Sequence, residues 1–135
     1  MKQFAKEVRQ YLKGFERCKF SVTSAYNKIN VTVLAAPFEA WDWDAIEEEN
    51  KRVEPYSQIN VDSLKESRNS SVNHFHIEES ENFYTDEMKK ILVAITKFLK
   101  RDVKIVSEDS DYGSIPNYYI NLSVGNWDKP FEVVA

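Results

Sequence analysis

The hydrophobic period of this chain switches from helical to extended, and does so twice, which restricts it to folds that stack helices on a sheet. Near the start, Phe4, Val8, Tyr11, Leu12 and Phe15 recur at helical spacing, while Lys2, Lys6, Arg9 and Lys13 fall on the opposite side. Gly14 is placed to stop that helix. "KFSVTSA" then alternates, with Phe20 and Val22 on one face and Lys19, Ser21 and Thr23 on the other. "AYNK" supplies turn residues, and "INVTVLAA" resumes the alternation through Ile29, Val31 and Val33 until Pro37 closes it. A helix has led into a hairpin.

The same order returns later. The Thr85 hydroxyl is placed to cap a helix, Asp86 and Glu87 suit the positive end of its dipole, and Met88, Ile91, Leu92, Ile95, Phe98 and Leu99 form its dry stripe. "VKIVS" reads as a strand, "EDSDYGSIPN" as a polar loop, and "YYINLSVG" as a strand with Tyr118, Ile120, Leu122 and Val124 on one face. Between the two units, Trp41, Ile46 and Val53 suggest a short acidic helix ending before Pro55, and "DSLKES" another turn or helix. So long a connection is expected to pack around Trp41, Trp43 and Tyr56 rather than stay structureless. The expected fold is α+β and two-layered: a mainly antiparallel sheet of about five strands with two principal helices on one face, helix-strand-strand order occurring twice.

At 135 residues the chain has the size of a single domain, residues 1–135, and its composition, 42% hydrophobic and 30% charged, is that of a chain with a core. No apolar run reaches the length of a membrane span, and the amphipathic start lacks the apolar stretch of a signal peptide, so a cytoplasmic protein without membrane contact is expected. Cys18 is the one cysteine, which removes internal disulfides and cysteine-rich zinc sites. The net charge of −4 hides a segregation: residues 1–38 carry seven basic and two acidic side chains, and residues 39–66 nine acidic and three basic. The plainest expectation is that these two segments lie against each other.

Candidate chemistry is sparse. His74 and His76 are the only histidines, two apart on an alternating stretch that puts both on one face with Glu78. Such a pair can converge on a metal, which would make a metal-dependent hydrolase the enzymatic alternative, but a site needs a third ligand and oriented partners that the sequence does not name. A strand with Phe75 and Ile77 turned inward is the simpler reading. Neither a Gly-x-Ser-x-Gly elbow nor a glycine-rich phosphate loop occurs, so no cofactor is expected. The stripe Lys2, Lys6, Arg9 and Lys13 could touch phosphates, which makes nucleic-acid contact a further alternative.

Taken together, "VRQYLKGFERCKFSV", "VNHFHIEES", "DSDYGSIPNYYINLSVG" and "NWDKPFEVV" resemble the large polyvalent protein-associated domains, specifically the twenty-ninth of that series. Its members combine a Lys-Phe-Ser-Val strand, a Val-Asn segment, a long helix and an Asp-Tyr loop before a final strand. The resemblance spans most of the chain but is weakest over residues 38–66, where the acidic tryptophan segment has no counterpart, and the first hairpin turn is short. It implies a non-enzymatic accessory or interaction module of a phage or conjugative element, with no assigned activity and counter-defence as one option, acting by protein or nucleic-acid contact, protein being the first expectation. Asp109, Asp111, Tyr112, Asn117, Trp127, Asp128 and Lys129 are the candidate contact residues, because loop aromatics flanked by polar groups suit recognition, the plainer alternative being ordinary turn chemistry and a C-terminal aromatic cover on the core.

Overall fold

In a computed structural model of the chain, residues 1–74, 83–109 and 113–134 are described. Helix α1 (Lys2–Leu12) leads into the antiparallel hairpin β1 (Lys19–Ala25) and β2 (Lys28–Ala36). The acidic segment forms α2 (Trp43–Arg52), a 3-10 turn (Pro55–Ser57) and α3 (Val61–Ser67), then the short strand β3 (Ser70–Ser71). Helix α4 (Asp86–Lys100) precedes β4 (Ile105–Asp109), β5 (Gly113–Pro116), β6 (Tyr119–Val124) and β7 (Glu132–Val133).

The class is α+β, as the two periods require. The main sheet has five strands in the order β1-β2-β6-β3, with β7 also paired to β2. It is mixed: β1 and β3 pair antiparallel to their neighbours, but the central pair β2–β6 is parallel. Among the described residues four strands, β4 to β7, follow α4, where two, β1 and β2, follow α1 before the next helix. The stretch expected as a polar loop is instead the hairpin β4–β5, a two-stranded sheet of its own, because Gly113–Pro116 can pair back on Ile105–Asp109. Asn117 closes this excursion, accepting from the Lys104 N–H at 2.8 Å and donating to the Asp102 carbonyl at 3.0 Å.

Alternation sorts the sheet into two faces. Ile29, Val31 and Val33 of β2 stand beside Leu122 and Val124 of β6, all buried, and join Phe4, Val8 and Leu12 of α1 and Met88, Leu92, Ile95 and Leu99 of α4 in one core. Each such side chain contributes roughly 1.5–3 kcal/mol by leaving water. The seam between α1 and α4 is aromatic, with Tyr11 stacked on Phe98 at 4.1 Å and Arg101 over Phe98 at 4.3 Å. Thr85 caps α4 as expected: its hydroxyl accepts from the Met88 N–H and donates to the Glu39 carbonyl at 2.7 Å.

Helices α2 and α3 lie beside β3, at the edge opposite β1. Asn50 ties them, exchanging hydrogen bonds with both backbone groups of Ile59 at 2.8 Å. The Trp41 indole donates to the Ser70 hydroxyl at 3.2 Å, and Trp41 and Trp43 pack at 5.7 Å. Tyr56 does not share this packing: the 3-10 turn holds it out, 88% exposed. The basic and acidic segments do not lie against each other either. Among the described residues the ion pairs are Lys51–Glu48, Arg52–Glu49, Arg68–Glu39, Arg101–Glu7 and Arg101–Asp102, and none joins residues 1–38 to 39–66. Short pairs along α2 and the position of α1 beside β1 keep the two charged surfaces at opposite ends of the sheet.

Candidate functional site

Strand β6 ends at Val124, and β7 takes up the same side of β2 two residues further along, where Ala35 faces Glu132. Residues 125–131 between them are forced away from the sheet, and this excursion displays the C-terminal candidates. Asn126 and Lys129 exchange backbone hydrogen bonds at 2.9 and 3.2 Å, which leaves Trp127 and Asp128 at the tip of a tight turn. Trp127 is 88% exposed, and Asp128 and Lys129 are exposed beside it.

The base of this turn is tied down. Gly125 donates to the Val33 carbonyl at 2.9 Å, and Phe131, fully buried, donates to the Arg68 carbonyl at 2.9 Å. Arg68 is the centre of the anchorage. Its Nε donates to the Phe131 carbonyl at 2.9 Å, its Nη2 pairs with Glu39 at 2.8 Å, and its guanidinium lies over the rings of Trp41 and Phe131 at 5.3 and 5.6 Å. A planar fork is required here, since two rings and two acceptors in different directions are met at once.

Burial alone would push the Glu39 carboxyl up, but hydrogen bonds from Arg68 and the Ala40 N–H and the charge of Arg68 outweigh it and hold Glu39 below the ordinary carboxylate range. The unfolded chain therefore binds this proton more readily than the native protein. Stability contributed by Glu39 is complete above its unfolded value and is lost as pH falls through the depressed native one. Thermal melting from pH 7 down to about 3 should show a steeper loss for the natural chain than for Glu39→Gln. Parallel curves would remove Glu39 from the acid response.

The outer face of the sheet, away from the helices, is polar. Asn121 donates to Asn30 at 2.9 Å, Asn30 donates to Thr23 at 3.0 Å, and the hydroxyls of Thr32 and Ser123 share a hydrogen bond of 3.0 Å. With Ser21 and Asn126 these residues line a shallow concavity of about 250 Å³. Tyr119, 46% exposed, and Tyr26, 96% exposed, stand at the end of this face away from Trp127. These tyrosines belong to no motif in the sequence, although Tyr119 falls on the wet side of its strand and Tyr26 sits in the hairpin turn.

The remaining candidates are dispersed. Asn117 spends its carboxamide on backbone groups of residues 102 and 104. Asp109 ends β4, close in sequence to Asp111 and Tyr112, which lie outside the described residues. His76 and Glu78 also lie outside them, as do Phe75 and Ile77. His74 is half-buried, its carbonyl accepting from Lys100 Nζ at 3.0 Å. Burial, then the Lys100 charge, lowers its pKa against a hydrogen bond to the Ile120 backbone, and a neighbouring ammonium disfavours a second cation there. No group of three or more metal-ligating side chains occurs among the described residues. Burial raises the pKa of Cys18, which makes its thiol a poor nucleophile.

Lys2, Lys6, Arg9 and Lys13 are exposed along α1 as the helical period predicts. Arg9 donates from Nη2 to the Val22 carbonyl of β1 at 2.9 Å, so the basic stripe is joined to the sheet edge. No helix among the described residues is long and apolar enough to cross a membrane. No protein-family model, curated protein or solved structure matches the chain.

Proposed function

We propose that this chain is a non-enzymatic interaction module of a mobile genetic element that recognises a protein partner through the turn carrying Trp127, Asp128 and Lys129. The observation that carries the reading is a large aromatic side chain, 88% exposed, on a turn whose base is fixed by hydrogen bonds to β2 and Arg68. A tryptophan held in water contributes little to its own fold, whereas at an interface it buries a large apolar area without ordering a loop. Asp128 and Lys129 beside it supply a polar rim. The resemblance to the large polyvalent protein-associated domains supports the mobile-element setting.

The reading is tested by comparing the natural chain with Trp127→Ala in capture from host lysate. The variant should melt within about 2 °C of the natural chain, as expected for an exposed side chain, yet lose a protein that the natural chain retains. A partner kept equally by both, or none retained by either, would refute the role given to this turn.

A further inference from the structure

The basic stripe of α1 does not simply face open water. Between α1 and the edge strand β1 runs a groove of about 560 Å³ lined by Lys2, Gln3, Lys6, Arg9, Thr23 and Ser24 together with Ala5 and Val22. Arg9 and Val22 also line a second concavity of about 410 Å³, where Lys13 and Arg17 join the wall and Glu16 is the one carboxylate. Three cations, a carboxamide and two hydroxyls line the first part without a carboxylate among them. The one acidic residue within α1, Glu7, pairs with Arg101 at 3.3 Å. Arg9 lines both concavities and is held by the Val22 carbonyl. The acidic residues of α2 lie at the opposite end of the sheet, so the negative net charge does not cancel the local field.

We propose that this groove holds the phosphodiester backbone of duplex nucleic acid, independently of sequence. Charge complementarity sets the sign of the ligand, and the lining sets its class. Lysine, arginine, amide and hydroxyl groups are those that contact phosphate and sugar oxygens. A docked peptide would draw on apolar anchor pockets, and Ala5 and Val22 are the apolar residues of the first concavity. A single strand would draw on open aromatic faces for its bases, whereas Phe15 and Phe20 in the second concavity pack edge to face at 5.9 Å.

Fluorescence anisotropy of a labelled duplex of mixed sequence, titrated with the full chain at about 25–200 mM salt, tests this. Three phosphates contacted give a slope of log K against log salt of about −2.7. Lys2→Gln combined with Lys6→Gln should bring the slope to about −0.9 and weaken binding at the lowest salt at least ~10-fold. Both lysines are exposed, so melting of the double variant should match that of the natural chain. Lys51→Gln, on α2, should leave DNA binding unchanged. No saturable binding at the lowest salt, an unchanged slope in the double variant, or poly-glutamate binding as tightly as the duplex would each overturn the assignment, the last in favour of an acidic polypeptide.

Discussion

Gly125→Ala is expected to lower stability by about 3–5 kcal/mol, more than a typical point substitution. Gly125 has φ +72, a left-handed conformation that costs a residue with a Cβ about 1–2 kcal/mol. The larger part is steric. A Cβ built there would lie 2.2 Å from the Arg68 carbonyl oxygen, 2.8 Å from the Phe131 nitrogen and 3.2 Å from the Asn69 Cα, all backbone atoms. None can swing aside as a flexible side chain would, and two of them form the hydrogen bond that closes the excursion onto Arg68. Relief requires the end of β6 to part from residues 68–69, which would expose Phe131. Urea unfolding should show a lower midpoint with an unchanged m-value. A midpoint shift worth less than about 1 kcal/mol would mean that the approach of these three backbones is not what the fold depends on.

Arg68→Ala is expected to cost about 3 kcal/mol, because the substitution strands what the guanidinium now satisfies. Glu39 would keep a half-buried carboxylate without its cation, the Phe131 carbonyl would lose a donor, and the rings of Trp41 and Phe131 would lose the cation lying over them. Lysine should recover less than half of the loss, since a point charge cannot meet two rings and two acceptors together. Arg68 itself has φ +47, so Arg68→Gly isolates the side chain: its backbone relaxes while the same contacts are lost. A glycine variant as stable as the natural chain would reduce this residue to a backbone role, and lysine as stable as arginine would reduce the fork to a point charge. A double-mutant cycle with Glu39→Gln should give a coupling of about 1–2 kcal/mol.

The anchorage at Arg68 also bears on the recognition proposed for the Trp127 turn. The turn at Trp127 is fixed only as far as Gly125 and Phe131 are fixed, and both are held by backbone groups of β2 and Arg68. A destabilised Arg68 variant should therefore weaken partner capture before it unfolds. Exposed Trp127 and half-buried Arg68 thus separate the loss of a proposed contact from the loss of its support.

Much of the local structure was legible in residue order. The stripe Phe4, Val8, Leu12 dictated α1, the alternation of Ile29, Val31 and Val33 gave the buried face of β2, and Thr85 marked the start of α4. Trp127 was legible as a candidate contact residue only by type and position, and its display on a pinned turn was not. Arg68 and Glu39 gave no signal at all: one arginine and one glutamate among many charges, brought together across 29 positions. The loop expected around Asp109 was misread because paired strands and a polar loop share their serines and aspartates until a partner is known.

By itself, the order of residues determined which side of each element is dry, since that depends on spacing along one segment. Only the folded chain decided which segments are neighbours: that β2 lies parallel to β6 across 91 positions, that β4 and β5 leave the main sheet, and that the basic and acidic stretches part to opposite ends. Period reports a segment's relation to the interior, whereas pairing between distant segments is a property of how all their faces fill one core together, and no local window contains it.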